Sequence, residues 1–249
     1  MTHENKNNHI AMQYRVRSVP KGNEADKSAL FQVCLRTGDS GQDATHLYAK
    51  DPDALGRRWV GPYLALEPDL AFALEQEAVE LPPGSPPSSA PAVHGYALGC
   101  LDTNRFSVRL EGEYLPALRT DPRFSTTPFL GRKPRKEWEP EQEVYFEYHE
   151  TPAAPPFVVA KYPSHLHIDL TAEAQGGGNG KRMMSALLSK LRAAGSTGVH
   201  LEMQSANARA RRFYDRLGFH EVARVLDQVV ESGGAAAEPG AAEPGAAGA

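Results

Sequence analysis

Cysteine is scarce in this chain: 249 residues carry two, Cys34 and Cys100. That excludes a disulfide framework, and neither residue stands at the spacing of a thiolate metal site. An excess of either charge is missing as well, since 27 Lys and Arg face 31 Asp and Glu for a net charge of −4. Whole-molecule attraction to nucleic acid or to an anionic membrane is therefore not expected. No apolar run approaches the roughly 20 residues of a membrane span. The opening "MTHENKNNHI" has no apolar centre of the kind a secretion signal needs. A cytoplasmic chain is the expectation, with no nucleic-acid and no membrane partner. Long-period repeats are absent too. What is present is 41% apolar residues, enough for a core in one large domain or two small ones.

Periodicity divides the chain unevenly. After a polar lead (residues 1–10, expected to be flexible), "MQYRVRSV" alternates as a strand. "KGNEADKSALFQVCLRTG" places Leu30, Val33, Cys34 and Thr37 at helical spacing before Gly38. A second, interrupted helix is expected in "DPDALGRRWVGPYLALEP". "DLAFALEQE" and "AVHGYALGCLD" read as strands around the Pro/Ser-rich loop "LPPGSPPSSAP". From 103 to 162 the pattern breaks down among prolines, charges, Trp138, Tyr145, Phe146 and Tyr148, and an irregular inserted segment, with a site-covering role as one reading, is expected. Order returns with "HLHIDL", where Leu166, Ile168 and Leu170 alternate with His165, His167 and Asp169. "GKRMMSALLSKLRAAG" follows as a helix with an apolar stripe of Met183, Met184, Leu187, Leu188 and Leu191. Then come a strand "GVHLEM", a helix "NARARRFYDRLGF" and a closing strand "HEVARVLD". The Ala/Gly/Pro/Glu stretch 231–249 has nothing to bury and is expected to be disordered, which leaves residues 11–230 as one domain.

The stretch "EAQGGGNGKRMM" carries most of the functional information. Strand, glycine loop and helix in that order suit a phosphate, because loop amides converge where the helix presents its positive end. A P-loop is excluded: Gly180 and Lys181 are followed by Arg182 rather than Ser or Thr, and Gln175 stands where the first glycine should be. A dinucleotide fingerprint fails at Met183, which occupies the place of the third glycine. The pattern Gln-x-x-Gly-x-Gly is met by Gln175, Gly178 and Gly180. Downstream, Asn207, Ala210, Tyr214, Gly218 and Phe219 complete Asn-x-x-Ala-x-x-x-Tyr-x-x-x-Gly-Phe.

These two motifs, in this order, resemble those of the GNAT (general-control N-acetyltransferase) superfamily. "YPSHLHIDL", "KRMMSALLSKLRAAGSTG" and "RFYDRLGF" further resemble the acetyltransferase-like C-terminal domain of the O-GlcNAc hydrolases (O-GlcNAcase) and bacterial acetyltransferases related to it. The resemblance is good from about 161 to 225 and weak before that. It implies an α/β (α+β) fold, a mixed and mostly antiparallel sheet flanked by helices. It also implies acetyl-CoA as co-substrate, held between the "HLHIDL" and "GVHLEM" strands. Leu170, Thr171 and Ala172 would meet the pantetheine. Gln175, Gly176, Gly177, Gly178, Asn179, Gly180 and Lys181 would hold the pyrophosphate, and Asn207 and Tyr214 complete the coenzyme site. Arg182, Arg209, Arg211 and Arg212 are further phosphate candidates, with a solvated helix face as the alternative.

Acetyl transfer to an amine needs a base, a stabilised oxyanion and a proton source for the thiolate. The resemblance gives Tyr214 the last role. A tyrosine near 10 and a thiol near 8.5 differ by about 1.5 pKa units, so full proton transfer is uphill by roughly 2 kcal/mol and a hydrogen bond to the sulfur is the milder role. His165, His167 and Asp169 are the candidate base and substrate contacts, polar groove lining being their alternative, and Glu202 is a weaker one. No third ligand accompanies the two histidines, so no metal is expected. The function expected is acetyl transfer to an unidentified primary amine by direct attack on the thioester, in a monomer or homodimer. The competing reading is a catalytically inactive acetyl-CoA-binding or protein-interaction module.

Overall fold

A computed structural model describes residues 13–77, 92–128, 130–151 and 153–224. The lead 1–10, the loop 81–91 and the tail 231–249 lie outside the described residues. Five strands follow the expected alternation: β1 (Tyr14–Ser18), β2 (Ala71–Gln76), β3 (Val93–Cys100), β4 (Ser164–Leu170) and β5 (Val199–His200). Their order in the sheet is the order in the chain, with antiparallel pairs up to β3–β4 and a parallel β4–β5 pair. Tyr96 of β3 stands opposite Asp169 of β4 in this register.

Because side chains alternate across a strand, the sheet sorts its residues onto two cores. Leu74, Ala97, Leu166 and Ile168 face one side, where they meet Met183, Met184, Leu187 and Leu191 of α8 (Asn179–Ala193). Phe213, Tyr214, Leu217 and Phe219, from α9 (Ala208–Arg216) and the turn after it, pack on the same core. Ala73, Tyr96, Leu98 and Cys100 face the other side. There they meet Leu30, Val33 and Cys34 of α1 (Glu24–Leu35) and Tyr63 of α3 (Gly61–Leu66), which follows α2 (Ala54–Trp59). The result is the mixed, mostly antiparallel sheet flanked by helices that the sequence resemblance implies.

Residues 103–162 differ from the expected irregular excursion. They fold as α4 (Thr103–Arg109), a π-helical turn at Leu110–Tyr114, α5 (Leu115–Thr120), α6 (Pro140–His149) and α7 (Pro156–Lys161). The prolines that suggested a broken pattern sit in the first turns of α5, α6 and α7, where a missing N–H loses no helical bond. Two tyrosines of this segment tie it to α2 and the turn before it: Tyr148 is fully buried and donates to the Ala54 carbonyl at 3.1 Å, and Tyr145 donates to Asp51 at 2.8 Å, while Trp138 and Phe146 pack on each other. Arg58 of α2 pairs with Glu147 of α6 at 2.9 Å.

Two expected strands are also corrected. "GVHLEM" pairs only through Val199 and His200, and residues 220–224 of the expected closing strand carry no strand structure. The remainder of that segment, 225–227, lies outside the described residues. Among the described residues no helix is long and apolar enough to cross a membrane.

Candidate active site

β4 runs into a 3-10 turn at Ala172–Ala174, and the chain then changes hand. Gly176, Gly177 and Gly178 have φ of 88°, 54° and 81°, a succession that other residues enter only with strain. α8 begins immediately after. Side chains brace the loop from beneath: Gln175 Nε2 donates to the Leu170 carbonyl at 2.8 Å and Asn179 Nδ2 to that of Ala174 at 2.8 Å. Arg182 donates to Asn179 Oδ1. The loop carbonyls of Gly176 and Gly178 take the amides of Asn179 and Arg182. The amides of Gly176, Gly177, Gly178, Gly180 and Lys181 have no such acceptor among the described residues, as at any uncapped helix start. All three left-handed glycines are exposed and a Cβ on any of them would meet nothing within 4 Å. Gly180 is different: a Cβ there would lie 3.0 Å from the Phe213 ring, so this position lets α8 and α9 approach each other.

The edge of β4 beside the loop is open on one side. Its ladder with β5 consists of Ser164–Val199 and His165–His200, whereas its ladder with β3 continues to Leu170. The Thr171 amide donates to the His94 carbonyl at 2.9 Å, toward β3. Alternation then points the Leu170 amide to the opposite edge, where β5 has already ended. The Leu170 carbonyl on that edge is occupied by Gln175. Thr171 is buried and Ala172 is exposed.

Asn207 caps α9, its Oδ1 accepting from the Ala210 amide at 3.0 Å, and its Nδ2 donates to the Ser40 carbonyl at 3.2 Å. The loop after α1 is thus tied to α9, and Ser40 Oγ also donates to Gln204. Ser40 itself sits at φ 51°. The Tyr214 ring lies between Phe213 and Phe219, with centroids at 5.2 and 5.8 Å. Burial, and then the charge of Asp169, raise its hydroxyl pKa above the ordinary value. Arg211 is engaged by Asp215 at 3.2 Å and Glu221 at 2.5 Å, while Arg209, Arg212, Lys181, Arg182 and Glu202 are exposed.

His165, His167 and Asp169 project together from β4, but their environments differ. Thr103 spends its hydroxyl proton on the Pro163 carbonyl at 2.8 Å, so its oxygen accepts from His165 Nδ1, also at 2.8 Å. Tyr63 and Phe106 meet the His165 ring edge-on. Burial, then His200 and His167, push its pKa down to about 3 and keep it neutral. His167 Nδ1 faces the Trp59 carbonyl at 3.1 Å, an acceptor only, which fixes a proton on Nδ1. Its Nε2 lies 3.2 Å from Asp169 Oδ2. Burial opposes its charged form, but Asp169 and the Trp59 carbonyl outweigh burial and raise its pKa. Tyr96, fully buried, donates to the same Asp169 Oδ2 at 2.5 Å. Trp59, Tyr96 and Thr103 belong to no motif. They are found only through the β3–β4 register and the packing of α2 and α4. Among the described residues no group of His, Cys, Asp and Glu is placed to hold a metal.

A meandering sheet with helices on both faces and a glycine loop leading into α8 is the fold of an acyltransferase. The Acetyltransferase (GNAT) family matches residues 132–219. The crystal structure of SsHAT is 35% identical with a TM-score of 0.68, over 85% of this chain and 93% of that one. The chain belongs to the acetyltransferase (GNAT) family. It is also 26% identical over 201 residues to Protein O-GlcNAcase of Rattus norvegicus, which is 80% of this chain and 20% of that protein. Protein O-GlcNAcase of Mus musculus matches to the same extent. The chain therefore spans about a fifth of the length of these curated relatives.

Proposed function

We propose that this chain transfers an acetyl group from acetyl-CoA to a primary amine by direct attack of the amine on the thioester. The observation that carries this reading is that the amides of Gly176, Gly177, Gly178, Gly180 and Lys181, at the start of α8, have no backbone acceptor among the described residues. Converging N–H groups at the positive end of a 15-residue helix suit a pyrophosphate and have no structural use of their own. The Leu170 amide on the open edge of β4 supports this reading as a donor to a pantetheine carbonyl, and Ala172 lies two residues on. Lys181 supplies charge beside the phosphates. Asn207 acts indirectly, by fixing α9 and hence Tyr214.

The amine arrives on the face of β4 that carries His165, His167 and Asp169. It attacks the thioester carbonyl carbon as a free base, the C–S bond breaks, and the sulfur leaves as thiolate. Tyr214 donates a hydrogen bond to that sulfur as its charge grows. Its raised pKa makes complete proton transfer to the sulfur less favourable than the roughly 2 kcal/mol gap between an ordinary tyrosine and a thiol. On this reading residues 11–230 work as one catalytic domain. The segment 103–162 stiffens α2 behind the site.

The test is a thiol-release assay with acetyl-CoA and a panel of agmatine, spermidine, glucosamine and a lysine-containing peptide. Turnover of at least one amine is expected. Tight acetyl-CoA binding with no turnover on any amine would favour the binding-module reading instead.

A further inference from the structure

The three titratable residues of β4 are not interchangeable as bases. His165 presents its Nδ1 proton to Thr103, and its ring is held among Tyr63 and Phe106, so it serves the packing between β4 and α4. Asp169 is different. Its Oδ2 accepts from Tyr96 and lies 3.2 Å from His167 Nε2, a position that favours a proton arriving on that nitrogen, while its Oδ1 has no hydrogen-bond partner among the described residues and its side chain is 26% exposed. Tyr214, which the proposed reaction places at the sulfur, feels the charge of Asp169. Asp169 directly precedes Leu170, beyond the last residue of β4 that pairs with β5, so the carboxylate stands beside the strand opening that the proposed reaction assigns to the pantetheine.

We propose that Asp169 and His167 act as one coupled base: Asp169 Oδ1 anchors the acceptor ammonium, and the proton it loses comes to rest on His167 Nε2, with Tyr96 and the Trp59 carbonyl as positioning groups. This rests on the acetyl-transfer reading above. The balance is one proton: Asp169 as carboxylate with neutral His167, plus R–NH3+, gives the carboxylate with imidazolium, plus R–NH2. After attack, the nitrogen loses a second proton as the C–S bond breaks and the thiolate becomes the thiol. The imidazolium then releases its proton to water. The raised pKa of His167 suits a base working near neutral pH.

The surroundings leave His167 as the titrating member. On α2, the Arg58 guanidinium is paired with Glu147 of α6. Cys34 of α1 and Tyr96 of β3 are pushed up by burial and stay neutral, as does Tyr214 of α9. On β4, His165 stays neutral because its pKa is pushed down to about 3. His200 of β5 faces His165, with its Nδ1 2.7 Å from the Tyr162 carbonyl.

The test combines pH–rate profiles on the amine the wild type accepts best with a histidine-ring NMR titration of the acetyl-CoA-free protein. Wild-type kcat/KM should rise with pH through an inflection above 6.5. His167→Gln should lower the plateau at least tenfold and move the inflection down by a unit or more, with acetyl-CoA affinity unchanged. Tyr96→Phe should lower kcat while leaving coenzyme binding intact. In the NMR titration His167 should keep Nδ1 protonated throughout and titrate above 6.5, and Asp169→Asn should drop it below 6.5. An unchanged inflection in folded His167→Gln would overturn the proposal and leave acetyl transfer standing. If no amine is turned over, acetyl transfer fails, and the NMR result still decides whether the coupled pair exists.

Discussion

The hydroxyl of Tyr214 and the ring of His165 are both half-buried groups whose protonation is set by their neighbours, and each gives a measurable consequence. In Tyr214→Phe the ring still fills its place between Phe213 and Phe219, so fold and acetyl-CoA affinity should persist. Only an interaction that grows as the thioester breaks is removed, so kcat should fall at least tenfold. Full activity in this variant would return Tyr214 to a packing role. His165 is a case of proton linkage. Its folded pKa, about 3, lies below the ordinary value near 6.5, so the folded state binds fewer protons than the unfolded one. The neutral ring's contribution is complete above about 6.5 and is lost as pH falls toward 3, by an amount on the order of a few kcal/mol. Melting temperature should therefore fall more steeply between pH 6.5 and 4 in the wild type than in His165→Asn, which keeps a donor for Thr103. Equal slopes would contradict the buried neutral imidazole.

Among the elements, α2 links stability to the site, because its last residue, Trp59, offers the carbonyl that orients His167. α6 holds α2 through the Arg58–Glu147 pair and the bond from Tyr148 to Ala54. Tyr148→Phe leaves a buried carbonyl without its side-chain donor and should cost about 1 kcal/mol in denaturant unfolding. No loss would mean that α6 merely covers α2. The elements also show what periodicity can tell. The alternation of β1 to β4 and the stripe of α8 are legible because a buried face must repeat at the period of its backbone. β5 was overextended because alternation reports which side is apolar, not where the neighbouring strand stops. α4 to α7 were missed because short helices with proline in the first turn look like loops until their packing partners are known.

At the scale of the whole molecule, the glycine loop and the polar face of β4 are legible in the sequence, whereas the neighbours that orient His167 and Asp169 are not. Gln175, Gly178 and Gly180 carry a local signal, because one segment builds the whole loop between β4 and α8. Tyr96, Trp59 and Thr103 reach β4 from three distant segments, and nothing in their own neighbourhoods marks them. Stability offers a global check on the binding site. A ligand bound only by the folded chain at one hundred times its Kd adds about 2.7 kcal/mol. For a domain of this size that is a rise of roughly 5–10 °C in Tm. Acetyl-CoA and CoA should both produce it, and adenosine, which lacks the pyrophosphate, should not.

The claim that the glycine loop receives the pyrophosphate is tested most directly by calorimetry of acetyl-CoA with Gly178→Asp and Gly178→Asn. Both residues enter the left-handed region with similar strain, and a side chain there meets open space, so they differ mainly by one negative charge. The expected result is at least tenfold weaker binding to the Asp variant than to the Asn variant, or about 1.4 kcal/mol. Equal affinities in the two folded variants would contradict the assignment.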